Sequence, residues 1–342
     1  MKISDEEKEG SPVKEASKDV LMRAEHVKVY FKGKNRRSGT VKAVDDISFD
    51  IRRGETFGVV GESGCGKSTL GRVLIRLLKP TEGRICLDGT DIADMKGVKL
   101  KQMRRKAQII FQDPSASLNP RRTIRQILTE PFEIHQMTEQ IDMEARIMEL
   151  LNLVGLDAYH LSRYPHELSG GQKQRIGIAR ALALEPDLII CDEAVSALDV
   201  SVQAQVLNLL QELKEKLGLT YFFISHNLNV VYQVSDRVAV MYLGKIVELA
   251  DYDQLYEKRY HPYTEALLSA IPQVGNSSFK ERIRLRGEVP SPSEPPSGCR
   301  FHTRCPRACD CCSLEEPELR EVEDGHLVAC HLYHLKTGDS VG

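Results

Sequence analysis

Residues 61–68 read Gly-Glu-Ser-Gly-Cys-Gly-Lys-Ser, the spacing of a loop that wraps nucleotide phosphates. The glycines let backbone N–H groups approach phosphate oxygens, and the following helix adds positive potential at its N-terminus. Lys67 is expected to reach the β- and γ-phosphates, Ser68 to offer a hydroxyl to Mg²⁺, and Thr69 to help hold the α-phosphate side. A Gly-rich turn with a surface lysine is the alternative for this motif alone. The predicted nucleotide contacts are Gly61, Glu62, Ser63, Gly64, Cys65, Gly66, Lys67, Ser68 and Thr69.

Apolar runs of strand length alternate with helical patterns through much of the chain, which predicts an α/β sheet with nucleotide at the strand ends. The loop follows one such run and precedes a helical pattern from Ser68 to Leu78. Residues from about 120 to 170 break this rhythm and are predicted to be mainly helical. The predicted strands are Thr56–Gly61, Ala107–Phe111, Leu188–Cys191, Tyr221–Ser225 and Val238–Tyr242. One predicted helix buries a face made of Val202, Val206, Leu209, Leu210, Leu213 and Leu217.

The bulk properties are those of an ordinary globular protein. The 342 residues are 41% hydrophobic and 28% charged, and the net charge of −2 gives no reason to propose a nucleic-acid partner. No apolar run is long enough to span a membrane. Residues 1–18 are mostly polar and lack the apolar segment of a secretory signal, so we expect a disordered leader and a cytoplasmic protein.

Residues 168–172 read Leu-Ser-Gly-Gly-Gln, the signature of one branch of phosphate-loop proteins. With the loop at 61–68, this run makes the chain resemble an ATP-binding cassette (ABC) ATPase subunit, the motor of a membrane transporter. The resemblance implies a P-loop cassette with a RecA-like core, a β subdomain and a helical subdomain at about 120–170. Ala194 stands where many members of the family have proline, and no side-chain chemistry is lost by this departure.

The family pattern assigns roles to four polar residues that follow apolar strands. Asp192, which ends the run Leu188–Cys191, would hold Mg²⁺, and Glu193 would polarise the attacking water as general base. Gln112 would sense Mg²⁺ and link the site to the helical insert. His226 would form hydrogen bonds with the γ-phosphate and the attacking water. The implied Mg²⁺ ligands are Ser68, Gln112 and Asp192.

The resemblance also implies a second cassette. The helix opened by the signature would face the γ-phosphate bound on another subunit, so two ATP molecules would be held head-to-tail between two chains. Asp199 would help form the subunit contact. Tyr30 is the predicted adenine-stacking aromatic, with packing on a strand edge as the alternative. The signature residues assigned to the nucleotide are Ser169, Gly170, Gly171 and Gln172.

Six of the nine cysteines fall between residues 299 and 330, and in a reducing compartment such a cluster favours metal over disulfides. The runs 298–306, 328–331 and 261–272 resemble the C-terminal extension of oligopeptide and dipeptide importer ATPases and the segment before it. Four thiolates can hold a [4Fe–4S] cluster or zinc, which spacing does not distinguish, and a metal-free protein is the third alternative. Cys309 or Cys311 could replace Cys312 as a ligand. The family implies the ligand set Cys299, Cys305, Cys312 and Cys330.

These patterns predict a leader at 1–20, an ATPase domain at 21–255 and a Cys-rich extension at 256–342. The leading hypothesis is the ATP-hydrolysing motor of an importer for di- and oligopeptides, at the cytoplasmic face of the cell membrane. Its expected partners are a second, non-identical ATPase subunit, two transmembrane permeases and, through them, an extracytoplasmic substrate-binding protein.

Three alternative functions are compatible with parts of the sequence. The first is an importer of nickel or another small solute. The second is a soluble ABC ATPase of DNA repair or translation, which the single uninterrupted cassette disfavours. The third is a metal- or redox-responsive binding module, which the intact Glu193 disfavours because a purely regulatory protein needs no general base.

Overall fold

The structure is a computed structural model that describes residues 19–33, 39–270 and 283–334. The predicted leader lies outside the described residues as far as residue 18, and so do Ile271 and Pro272 of the segment before the extension. Within the described ranges, no helix is both long enough and apolar enough to cross a bilayer.

Strands make two sheets in the described part of the chain. They are β1 (Val20–Lys32), β2 (Thr40–Arg52), β3 (Thr56–Val60), β4 (Glu82–Leu87), β5 (Thr90–Asp91), β6 (Ala107–Ile110), β7 (Leu188–Asp192), β8 (Thr220–Ile224), β9 (Arg237–Tyr242), β10 (Lys245–Asp251), β11 (Arg320–Glu323) and β12 (His326–Val328).

Helices connect these strands and form a separate layer. They are α1 (Lys67–Leu74), α2 (Gly97–Lys106), α3 (Pro114–Ser117), α4 (Ile124–Ile134), α5 (Met143–Leu153), α6 (Gly170–Leu182), α7 (Val200–Leu217), α8 (Leu228–Val234), α9 (Tyr252–Glu257), α10 (Pro262–Ser269), α11 (Cys311–Leu314) and α12 (His331–His334), with short 3-10 helices at Ala158–Ser162 and Pro165–Glu167.

The larger sheet has the order β11-β12-β10-β9-β3-β8-β7-β6. Its strands β9, β3, β8, β7 and β6 pair in parallel, while β10, β11 and β12 join antiparallel. β3, β7 and β8 are buried along their whole length, as expected for a parallel sheet covered on both faces. The five predicted strands are therefore confirmed to within one residue at each end.

The smaller sheet has the order β2-β1-β4-β5 and pairs antiparallel throughout. Its inner face packs on the larger sheet through three phenylalanine rings. Phe49 of β2 stacks on Phe57 of β3 with 5.0 Å between centroids, and Phe222 of β8 lies 5.9 Å from each. This apolar contact fixes the β subdomain over the start of the phosphate loop's own strand.

The segment 120–170 is helical, as predicted. Thr123 caps α4 with a reciprocal capping box, and the side chain of Asp142 caps α5, so each helix begins at a residue that satisfies its free N–H groups. Apolar side chains of α4 and α5 belong to the same core as residues of α6, which joins this subdomain to the sheet.

Two helix predictions were wrong in detail. The first helix ends at Leu74 rather than Leu78, because Arg76 adopts a left-handed φ of 56° and turns its guanidinium inward to the carbonyl of Ile92. In α7, four of the predicted core residues are buried and Val202 is partly buried, but Leu217 is 43% exposed. Leu217 is the last helical residue before Gly218 reverses the chain in the left-handed region.

The C-terminal extension is joined to the ATPase sheet by a buried carboxylate. β12 pairs with β10, where Glu248 is fully buried. Glu248 accepts hydrogen bonds from the backbone N–H groups of Tyr260 (2.9 Å) and His261 (3.1 Å), and its Oε1 lies 2.8 Å from Nε2 of buried His326. One side chain thus holds the segment before α10 and the strand β12 against β10.

We expect His261 to make folding stability depend on pH. Burial, reinforced by the positive charge of Arg307, lowers the pKa of His261 to about 3, and its Nδ1 accepts the N–H of Tyr263. Because the pKa of an unfolded histidine is about 6.5, the unfolded state takes up a proton at a higher pH than the folded state does. Stability is therefore lost as the pH falls from about 6.5 towards 3, at up to about 1.4 kcal/mol per unit.

The test compares the unchanged protein with His261→Asn, which keeps an acceptor for Tyr263 but does not titrate. Urea unfolding at about pH 7 and about pH 5.5 should show that the unchanged protein loses about 1 kcal/mol more than the variant. An equal loss in both proteins contradicts the assignment.

Candidate functional site

The phosphate loop leaves β3 after Val60 and enters α1 at Lys67. All three of its glycines have positive φ angles, 153° at Gly61, 80° at Gly64 and 109° at Gly66. A Cβ atom would lie 2.2 Å from the carbonyl oxygen of Met241 at Gly61, and 2.0 Å from that of Ala43 at Gly66. Only glycine fits at either position, so backbone passes close to backbone and the loop takes a single compact path.

Lys67 lies at the start of α1 with its side chain buried. Its Nζ donates to the carbonyl oxygens of Gly61 (2.7 Å) and Glu62 (3.0 Å). The ammonium group therefore lies across the opening of the loop, where it is predicted to meet the phosphates. Gly64 has open space around its Cα, which leaves room at the tip of the loop for a ligand.

Ser68 and Asp192 are brought together by neighbouring elements. Ser68 Oγ donates to Asp192 Oδ1 at 2.6 Å, and Asp192 lies at the buried end of β7. Arg72, which sequence analysis missed, donates to the other carboxylate oxygen at 3.3 Å. The sequence held a signal for this contact: Arg72 follows Ser68 by four residues on α1, and residues with this spacing share a helix face.

Glu193, Gln112 and His226 form a polar group beside this pair. Gln112 Nε2 donates to Glu193 Oε2 at 2.9 Å, and His226 Nδ1 lies 3.3 Å from the same oxygen. Glu193 has a left-handed φ of 50°, uncommon for a residue with a side chain and frequent at functional sites. Its backbone N–H donates to the carbonyl of Ile224 at 3.1 Å, which holds this conformation.

All these residues follow the carboxyl ends of adjacent parallel strands. Gly61 follows β3, Gln112 lies just beyond β6, Asp192 ends β7, and His226 lies just beyond β8. The strand order β3-β8-β7-β6 places these four ends at one edge of the sheet. Ligands of open α/β sheets bind at this edge.

The signature residues begin α6 and are largely exposed. Ser169 caps the helix: its Oγ accepts the N–H of Gln172, and its own N–H donates to Gln172 Oε1. A Cβ at Gly171 would lie 2.6 Å from Val202 Cγ1, so glycine allows α6 to approach α7 closely. Across the described residues, the hydrogen bonds of Ser169 stay within its own helix. Asp199 precedes α7 and is exposed, as is Val200.

Tyr30 lies near the end of β1, where it pairs with Lys42 of β2. Its hydroxyl donates to the carboxylate of Asp45, and the ammonium of Lys42 lies 5.8 Å from its ring centroid. Neighbouring Phe31 is 42% exposed. Stacking of Tyr30 on an adenine stays a prediction.

The four cysteines of the implied ligand set all lie in the C-terminal extension. Cys312 and Cys330 are buried, and Cys299 and Cys305 are half-buried. Burial raises the pKa of Cys299 to about 12 and that of Cys330 to about 11. Negative charge on other thiols of the set raises both pKa values further.

Cys309 and Cys311 occupy the rim of this cluster. They are bonded to each other as a disulfide, and the sulfur atoms of Cys309 and Cys312 lie 3.3 Å apart. The three sulfurs all lie within 4.8 Å of one another. Cys309 is exposed, so of these three it is Cys312 that faces the interior.

The donor sets suit the groups that sequence analysis predicts. A hydroxyl and a carboxylate at 2.6 Å, next to a loop open at Gly64, match the hard oxygen ligands and phosphate cradle of a Mg²⁺–nucleotide. Four thiols that become thiolates on metal binding match the soft-ligand preference of iron–sulfur clusters and zinc.

Comparison with protein families gives two matches along the chain. Residues 44–196 match the model described as "ABC transporter". Residues 247–312 match the model described as "Oligopeptide/dipeptide transporter, C-terminal region". The second match begins in β10 and ends at Cys312.

Similar curated proteins align over nearly the whole chain. The oligopeptide transport ATP-binding protein AppF of Bacillus subtilis (strain 168) is 54% identical over 325 residues, which are 93% of this chain and 99% of that protein. The probable peptide ABC transporter ATP-binding protein y4tS of Sinorhizobium fredii is 55% identical over 292 residues, which are 85% of this chain and 83% of that protein.

Solved structures show the same cassette. A dimeric ATP-binding cassette in a post-hydrolysis state with ADP and Pi has a TM-score of 0.60 and 28% identity, over 68% of this chain and 99% of that one. CbiO1 of Clostridium perfringens, part of an ABC transporter complex, has a TM-score of 0.62 and 29% identity, over 70% and 92%.

The fold and the site define an ATPase of the phosphate-loop class, built as a RecA-like core with a β subdomain and a helical subdomain. The chain belongs to the ABC transporter ATP-binding proteins, in the branch that carries the oligopeptide/dipeptide transporter C-terminal region. The predicted fold class and family are confirmed.

Proposed function

We propose that this chain is the ATP-hydrolysing motor subunit of an importer for di- and oligopeptides. The carrying observation is the convergence of Gln112 and His226 on one carboxylate oxygen of Glu193 beside the Ser68–Asp192 pair, because it puts a general base next to a phosphate cradle. The peptide cargo is supported by the names of the relatives and by the matched C-terminal region. Nickel or another small solute is the alternative cargo.

In the proposed mechanism, residues 61–69 hold the phosphates, and Ser68, Gln112 and Asp192 hold Mg²⁺, which neutralises phosphate charge when bound. Gln112 and His226 aim the carboxylate of Glu193, which takes a proton from the attacking water. The water oxygen forms a bond to the γ-phosphorus as the bond to the bridging oxygen of ADP breaks. His226 is 56% exposed, so it can turn toward the γ-phosphate once nucleotide is present.

A second cassette completes the site in this proposal. Ser169, Gly170, Asp199 and Val200 are exposed on one chain, which suits contact with a partner's nucleotide and partner chain. The N-terminus of α6, at the positive end of its helix dipole, suits the γ-phosphate held by the other subunit. The partner is proposed to be a non-identical paralogue, and closure of the pair to drive two permeases served by an extracytoplasmic binding protein.

The proposed domain division follows the same logic. Residues 21–255 bind and hydrolyse ATP as a peripheral subunit at the cytoplasmic face of the membrane, with the helical subdomain facing the permeases. Residues 256–342 form the extension, in which Cys299, Cys305, Cys312 and Cys330 hold a [4Fe–4S] cluster, with zinc as the alternative. The proposed adenine contact is Tyr30.

Glu193→Gln should leave ATP affinity nearly unchanged and lower turnover by about 100-fold or more, since the amide keeps the hydrogen bonds but accepts no proton. Steady-state hydrolysis and size-exclusion chromatography with ATP check this, and a closed dimer should accumulate. Turnover at the unchanged rate would refute Glu193 as the base.

Ser169→Arg should damage the nucleotide site of the partner subunit rather than the site of its own chain. Its side chain would enter the space that the proposal gives to the partner's γ-phosphate. Dimers that combine this variant with loss of the phosphate-loop lysine, either in the same chain (Lys67→Ala) or in the partner chain, distinguish the two sites. Each site combines the phosphate loop of one chain with the signature of the other. When both changes lie in one chain, Lys67→Ala and Ser169→Arg therefore fall in different sites. Damage confined to the variant's own site would count against the shared arrangement.

Cys312→Ser should remove the metal of the extension, whereas the matched change Cys309→Ser should leave it bound, because Cys312 is buried among the other thiols and Cys309 is exposed. Purification without oxygen, visible absorbance and metal analysis per chain check this. Broad visible absorbance with iron and sulfide supports the cluster. A colourless protein with one zinc per chain rejects the cluster in favour of zinc.

A further inference from the structure

The Cys-rich extension contacts the phosphate loop directly through Arg304. The guanidinium donates to both carboxylate oxygens of Glu62, with 2.7 Å from Nη1 to Oε2 and 3.1 Å from Nη2 to Oε1. The Arg304 side chain is 8% exposed and that of Glu62 is 27% exposed. A two-pronged, largely desolvated pair of this kind fixes orientation as well as distance.

Tyr263 holds the backbone of the same loop residue. Its hydroxyl accepts the N–H of Glu62 at 2.9 Å, and its side chain is fully buried in α10. The carbonyl of Glu62 accepts Lys67 Nζ at 3.0 Å. The N–H, the carbonyl and the carboxylate of Glu62 are therefore all engaged, and two of the three partners come from residues beyond 255.

The two partners share a rigid support. Tyr263, Phe301 and Tyr242 pack against one another with ring centroids 4.8 to 5.3 Å apart, and all three are buried. Arg300, also buried, donates to the carboxylate of Asp45 and the carbonyl of Leu243. The loop that carries Arg304 is thus anchored to the ATPase core on both sides of Phe301.

We propose that Arg304 and Tyr263 are positioning residues of the ATP site, through which the extension holds the phosphate loop in its binding conformation. This inference rests on the proposed assignment of residues 61–68 to the phosphates. A loop that is already ordered loses less freedom when nucleotide binds, so the contact raises affinity. The contact stabilises bound ATP and the transition state of hydrolysis equally, so its loss should raise KM and leave kcat nearly unchanged.

The test uses the full-length chain with Mg²⁺ and a fluorescent ATP analogue. Arg304→Gln should raise Kd and KM about tenfold, with kcat within about twofold, since one charge-assisted contact to the loop is lost. Arg307→Gln is the matched control, because it removes the same charge from the same loop but breaks a surface pair with Glu265. Tyr263→Phe should weaken binding in the same direction. Equal Kd values for Arg304→Gln and Arg307→Gln overturn the proposal.

A double-mutant cycle keeps the result decisive if Arg304→Gln disturbs the cysteine loop. Glu62→Gln breaks the same pair without touching that loop, and metal content per chain reports whether the loop is intact. Non-additive effects of Arg304→Gln and Glu62→Gln on Kd support the proposal, and additive effects overturn it. Lys67→Ala separates a failure of this inference from a failure of the proposed function. If that variant binds ATP normally, the assignment of the phosphate loop fails, whatever the effect of Arg304→Gln.

Discussion

The parallel pairing of β3, β8, β7 and β6 is the constraint on which the rest of the site depends. Parallel strands start at one edge of a sheet and end at the other, so residues distant in sequence meet wherever their strands end. Thr56 pairs with Tyr221 and Leu188 with Thr220, which aligns the ends that carry Gly61, Asp192 and His226. A slip of one residue in any pair would turn its terminal side chain to the other face of the sheet.

Polar contacts at that edge satisfy the two carboxylates of the site. Asp192 accepts Ser68 and Arg72, and Glu193 accepts Gln112, so neither carboxylate is left without a donor. Burying a charge without a partner is costly, and these donors offset that cost. The same donors belong to α1 and to the segment after β6, so the arrangement of the site and the packing of the fold support each other.

The extension is part of the ATPase fold rather than an appendage. It adds β12 to the large sheet, buries Phe301 against Tyr242, and places Arg304 on the phosphate loop. Cys299, Cys305 and Cys312 lie in the same loop region as Arg304, whereas Cys330 follows β12. The contacts of Arg304 therefore connect the cysteine loop with the phosphate loop, although Cys299 and Lys67 are 232 residues apart in the chain.

Local pattern was enough to determine the strands, the glycine loop, the capped signature helix and the family, because each depends on neighbouring residues and their spacing. The sequence also showed which polar residues follow strands, but not that Gln112 and His226 share one oxygen of Glu193. Three features depended on the tertiary structure. They are the exposure of Leu217 at the end of its helix, the contact of Arg72 with Asp192 of β7, and the contact of Arg304 with Glu62. Such contacts join distant segments, and only the packing of the whole chain decides them.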